Sequence, residues 1–126
     1  MIKNQRILLV DDEPDLTIVF SIGLEDSGFK VDVYNDSLLA LSEFEKGSYN
    51  LILDYKMPNM NGFELYNEIR KTDGKVKVCF ITAIEIYYEE LKKKFRSAYD
   101  KEDIKLIQKP IEIDELVRQI REMLAS

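Results

Sequence analysis

At 126 residues the chain fits one domain and is long enough to bury a core without disulfide or metal staples. The absence of histidine removes every Ser-His-Asp, Cys-His and imidazole–metal site, and a net charge of −6 argues against a surface for duplex nucleic acid. No apolar run approaches the ~20 residues of a membrane span, the acidic Asp11-Asp12 after the first apolar run excludes a signal peptide, and a single cysteine points to a reducing cytoplasm.

Five short apolar runs near residues 6–10, 30–34, 50–54, 76–82 and 104–108 read as strands, with helix-period segments between them. Pro14 suits the first turn of a helix that carries Leu16, Val19, Phe20 and Leu24 inward and ends at Gly28. Asp36 or Ser37 can cap a second helix showing Leu38, Leu41 and Phe44, stopped at Gly47. Asn61-Gly62 opens a third with Leu65, Tyr66 and Ile69 facing inward. Cys79, in the fourth run, reads as a buried small hydrophobe rather than a nucleophile. A fourth helix starts near Glu85 with Tyr87, Tyr88, Leu91 and Phe95; its Lys92-Lys93-Lys94, following Glu89 and Glu90, reads as a solvated face. The last helix shows Ile113, Leu116, Val117, Ile120 and Leu124 at i, i+3, i+4 and i+7 spacing.

Strict β-α alternation predicts an α/β fold, a doubly wound five-stranded parallel sheet with helices on both faces. Right-handed crossovers point to the flavodoxin-like order 2-1-3-4-5.

In that order strands 1 and 3 are neighbours, and the switch point lies beside them. Asp54 ends the third run and Pro58 prevents the chain from returning to the sheet. Asp11-Asp12 follow the first run, Thr82 ends the fourth, and Lys109 before Pro110 follows the fifth. Each alone has an ordinary structural use as a helix cap, a strand-end hydroxyl or a surface turn. All four placements, however, fall at carboxyl ends of strands and none at an amino end. Three crowded carboxylates need a counter-charge, and an open loop site suits Mg²⁺ better than calcium, which wants six to eight oxygens. Carboxylate, metal, lysine and hydroxyl together describe phosphoryl chemistry, with Asp54 as the nucleophile.

With these residues in place the chain resembles the response regulator receiver domains, which are CheY-like modules of two-component signalling. The matching motifs are Val10-Asp11-Asp12-Glu13-Pro14, Asp54-Tyr55-Lys56-Met57-Pro58 with Asn61-Gly62, Ile81-Thr82-Ala83, and Lys109-Pro110. The resemblance covers essentially all of residues 1–126, and the last helix runs to the chain terminus, so no output domain is expected in this chain. It implies that Asp54 accepts a phosphoryl group from the phosphohistidine of a sensor kinase or phosphotransfer protein. It further implies that Asp12, Asp54 and the backbone carbonyl of Lys56 ligate Mg²⁺, with Asp11 acting largely through water. Thr82 and Lys109 would engage the phosphoryl oxygens, and Thr82, Ala83 and Leu106 would form the switch towards a downstream protein target. Lys56 and Ile84, each two beyond a site residue, would control dephosphorylation by limiting access of water. Such a module is a phosphoacceptor rather than an enzyme acting on other substrates.

Three departures stand beside the resemblance. The run from Tyr49 to Asp54 is one residue short, leaving Asn50 where an apolar residue is common. Thr82 and Lys109 lie 27 positions apart, more than is usual, with the excess expected between Phe95 and Asp103. Leu106 replaces a common aromatic. Two other classes stay open at this level: a phosphorylation-independent docking module, and an Asp-nucleophile phosphatase. The second needs an acid two residues beyond the nucleophile, where this chain has Lys56.

Overall fold

Strands buried on both faces must be apolar throughout rather than alternating, and the central runs of this chain have that character. In the computed structural model, which describes residues 6–83, 93 and 104–125, five strands form one parallel sheet. They are β1 (Arg6–Val10), β2 (Lys30–Tyr34), β3 (Asn50–Asp54), β4 (Val78–Thr82) and β5 (Ile104–Gln108), ordered β2-β1-β3-β4-β5 as expected. β3 and β4 are buried at every position, whereas the edge strand β2 is largely half-exposed. β3 starts at Asn50, which is buried and pairs with Ile7, so the short third run keeps its register.

Four helices cover the sheet among the described residues: α1 (Pro14–Asp26), α2 (Ser37–Glu43), α3 (Gly62–Thr72) and α4 (Ile113–Ala125). Side chains alternate between the two faces of the sheet. Ile7, Leu9, Ile52, Cys79 and Ile81 pack under α1 and α4, against Phe20, Leu24, Leu116 and Ile120. Leu8, Val10, Leu51, Leu53 and Phe80 pack on the other side, against Ala40, Leu65, Tyr66 and Ile69. Cys79 is a buried hydrophobe as expected, and burial pushes its thiol up to about 12.

Several details correct the sequence reading. Val19 is exposed, and the inward face of α1 is Thr17, Phe20 and Leu24. Ile18, Val19 and Ile22 are as apolar as the buried residues, so periodicity could not choose the face. Leu38 is exposed as well; α2 buries only Ser37 and Ala40, small residues that let it lie close to the sheet. That helix ends at Glu43 rather than at Gly47, because Phe44 turns extended (ψ 133°) and packs its ring against Tyr49 in a tilted contact, centroids 5.9 Å apart. The expected ends of α1 hold, with Pro14 in its first turn and Gly28 just past its end at φ 99°. The helix expected from Glu85, the long connection to β5 and Ile84 lie outside the described residues. Lys93 is exposed.

Candidate functional site

Parallel pairing fixes which strand ends meet. β3 lies between β1 and β4, with Val10 opposite Leu53 and Asp54 opposite Ile81. Asp54 therefore closes the central strand with Asp11 on one side and Thr82 on the other. The ladder continues past the strand ends: Asp11 N–H donates to the Tyr34 carbonyl at 3.2 Å, and Lys109 N–H donates to the Thr82 carbonyl at 2.7 Å. These backbone bonds bring Lys109, 98 positions from Asp11, to the same sheet edge.

Lys109 sends its ammonium into the acidic cluster. Nζ lies 2.9 Å from Asp11 Oδ2, 3.4 Å from Glu13 Oε1 and 3.5 Å from Asp54 Oδ1. Asp11 and Asp54 are buried, while Asp12 and Glu13 are exposed. Burial, reinforced by the Asp11 charge and opposed by Lys109, raises the Asp54 carboxyl to about 7. Burial also raises Asp11 against the pull of Lys109. Burial would depress the Lys109 ammonium, but its bond to Asp11 and the surrounding carboxylates outweigh that and raise it. The cluster thus holds more negative charge than one lysine balances.

Asp11, Asp12, Glu13 and Asp54 can each place a carboxylate oxygen so that all lie within 4.8 Å of one another. This is a set of hard oxygen donors, two of them open to solvent, which a small divalent cation fits. The cleft above is about 430 Å³ and is lined by Asp12, Glu13, Asp54, Lys56, Thr82, Ala83 and Lys109, with Met57 and Pro58. Such a space holds a phosphoryl group and several waters at roughly 30 Å³ each.

The loop after Asp54 is tightly built. Met60 N–H reaches back to the Pro58 carbonyl at 2.8 Å around Asn59, whose φ is 70°. This is a γ-turn with its central residue left-handed, a strained geometry that Asn tolerates better than most residues. α3 then opens on a capping box: Asn61 Oδ1 accepts from Glu64 N–H, and Glu64 Oε1 accepts from Asn61 N–H. Gly62 passes so close to β3 that an added Cβ would lie 2.2 Å from the Asp54 carbonyl oxygen. The close approach requires glycine at that position.

The structure therefore brings together Asp11, Asp12, Asp54, Thr82 and Lys109, with Lys56 and Ala83 on the cleft wall. Leu106 stands apart: it is half-buried, pairs with Phe80 in register and packs on the α2–α3 side of the core. Sequence reasoning gave Glu13 no role, although it joins both the oxygen cluster and the Lys109 contacts. Its place directly after Asp11-Asp12 was the available signal.

A family model described as the response regulator receiver domain matches residues 7–121. The transcriptional regulatory protein TrcR of Mycobacterium tuberculosis is 32% identical over 94% of this chain and 45% of its own length. Response regulator ArlR of Staphylococcus saprophyticus is 33% identical over 94% of this chain and 52% of its own. The chain thus spans about half the length of these relatives. Among solved structures, a CheY-like receiver domain protein from Methanospirillum hungatei superposes with a TM-score of 0.81 at 27% identity, covering 99% of this chain and 95% of that one. TrrA of Thermotoga maritima, solved in complex with Mg(2+)-BeF, gives a TM-score of 0.77 at 32% identity over 94% of this chain and 97% of its own. With the strand order, the acidic strand ends and the lysine all in place, the chain belongs to the response regulator receiver domain family of two-component systems.

Proposed function

We propose that Asp54 is the phosphoryl acceptor of this receiver domain and that residues 1–126 form a single receiver unit. The observation that carries this is a buried carboxylate at the end of the central strand, with a lysine ammonium at 3.5 Å and further carboxylate oxygens around it. A carboxylate oxygen of Asp54 attacks phosphorus, the new O–P bond forms as the N–P bond of a partner's phosphohistidine breaks, and the leaving imidazole nitrogen takes a proton from solvent. A phosphohistidine donor has to lie outside these 126 residues, which contain no histidine, and we assign it to a sensor kinase or phosphotransfer protein.

Asp12, Asp54 and the Lys56 carbonyl would hold Mg²⁺, with Asp11 acting through water; the cation supplies charge neutralisation on the transferring oxygens. The Mg(2+)-BeF complex of TrrA supports Mg²⁺ as the cation. Lys109 steadies the charge of the phosphoryl oxygens, and Thr82, with Ala83 beside it, offers a hydroxyl to them on activation. Of the switch positions, Leu106 is packed on the α2–α3 side without an aromatic ring to read out the change, so Thr82, Ala83 and the segment after β4 carry it towards a downstream protein target. Lys56 on the cleft wall and Ile84 restrict the water that would hydrolyse the acyl phosphate, giving slow decay. The module is a signalling acceptor rather than an enzyme with its own turnover, and its acidic surface supports no direct contact with nucleic acid. The relatives named as transcriptional regulators are about twice as long. A cytoplasmic address accords with the lone buried cysteine.

Labelling with acetyl phosphate tests the reading. A stable acyl phosphate that forms only with Mg²⁺ is expected. Continuous phosphate release would mark a phosphatase, and absence of label with Mg²⁺ would mark a docking module.

A further inference from the structure

Asn35, the first residue after β2, lies outside the acidic cleft, yet its side chain reaches under the segment that carries Asp11 to Pro14. Its Nδ2 donates to the Asp11 carbonyl at 2.7 Å and to Thr17 Oγ1 at 3.2 Å. The direction of both bonds is fixed by chemistry. A carbonyl can only accept, so the amide nitrogen must face Asp11, and the Thr17 hydroxyl is free to accept because its own proton goes to the Pro14 carbonyl at 2.9 Å. Thr17 is buried at 1% exposure, so its hydroxyl has no water to fall back on.

The result is a directed chain from Asn35 to both ends of the turn: the carbonyl before Asp12 and, through Thr17, the carbonyl after Glu13. Two further bonds complete the frame. Asp11 N–H is held by the Tyr34 carbonyl at 3.2 Å, and Asp11 Oδ1 accepts from Glu13 N–H at 3.0 Å. Residues 34 and 35 thus grip Asp11 by both of its backbone groups. Asp12 and Glu13, the two exposed members of the oxygen cluster, sit on the span between the anchored carbonyls.

We propose that Asn35 and Thr17 are positioning residues for cation binding, holding the Asp11–Pro14 turn in the form in which its carboxylates converge with Asp54. The inference rests on the reading that the cluster binds Mg²⁺, and it adds a control on affinity from residues that touch no ligand. Outer partners that orient ligands commonly contribute on the order of tenfold or more in metal affinity.

The test uses Asn35→Ala, Thr17→Val and the double variant, with Mg²⁺ titrated calorimetrically well below each melting temperature. Asn35 is exposed, and Thr17→Val keeps the buried volume, so at least one variant stays folded. Asn35→Ala is expected to weaken Mg²⁺ by about tenfold, and Thr17→Val by less. The double variant should be little worse than Asn35→Ala, because the two belong to one network. In metal-free protein, amide exchange at Glu13, Leu16 and Thr17 should speed up in the single variants. Labelling by acetyl phosphate should slow at low Mg²⁺ and return to the wild-type rate when Mg²⁺ saturates. Wild-type Mg²⁺ affinity in the variants, with only a lowered melting temperature, would reduce the pair to a structural role and overturn the proposal. A wild-type protein that binds no Mg²⁺ would instead overturn the proposed function, and this inference with it.

Discussion

Burial and the neighbouring Asp11 carboxylate keep a proton on Asp54 up to a pH of about 7, whereas the unfolded chain releases it in the ordinary carboxylate range. Between those limits the folded state binds more protons than the unfolded one, so stability is full at low pH and is lost as pH rises towards 7. Metal-free protein should therefore be less resistant to urea at pH 8 than at pH 5, with a slope of at most ~1.4 kcal/mol per pH unit from this group. Asp54→Asn should flatten that dependence and be the more stable protein at pH 8. Calorimetry should show Mg²⁺ affinity rising with pH through the same window, because the cation must displace the proton. Lys109 supplies the opposite sign. Lys109→Met removes the ammonium that Asp11, Glu13 and Asp54 share, so metal-free stability should fall at pH 8 and much less at pH 5, where the carboxylates can protonate. Equal losses at both values would mean that the lysine contributes packing rather than charge.

The third helix shows how much an element depends on a few residues. Asn61→Ala removes one half of the capping box and should cost about 1 kcal/mol in chemical denaturation, without abolishing the fold. Gly62→Ala should cost more, about 1–3 kcal/mol, because the new methyl meets the backbone of Asp54 itself. It should also slow labelling, since any shift of that backbone moves the acceptor. These positions were legible in the sequence because Asn-Gly before an apolar stripe has a local cause. So were the strand-end residues Asp11, Asp54, Thr82 and Lys109, since strand ends follow from runs and punctuation. The exposed face of α1 was not legible: Ile18, Val19 and Ile22 offer the same periodicity as the buried residues. Nor was the end of α2, where Phe44 leaves the helix and packs against Tyr49. Asn35 and Thr17 carry no sequence signal at all, because their partnership depends on β2 lying beside β1.

At the scale of the whole molecule, the strand order brings residues from four strand ends to one edge, and the apolar burial of β3 and β4 keeps that edge fixed. On the proposed reading, a signal leaves that edge through Thr82 and the segment that follows β4. Backbone amides of residues 83–103 should accordingly shift in NMR spectra when beryllofluoride binds with Mg²⁺; perturbation confined to the surroundings of Asp54 would exclude that route. All of this depends on Asp54 being the group that takes the phosphoryl. The most direct measurement is the intact mass of wild-type protein and of Asp54→Asn after incubation with acetyl phosphate and Mg²⁺. One added phosphoryl group on the wild type and none on the folded variant is the predicted result. Labelling of the variant at the wild-type rate would contradict it.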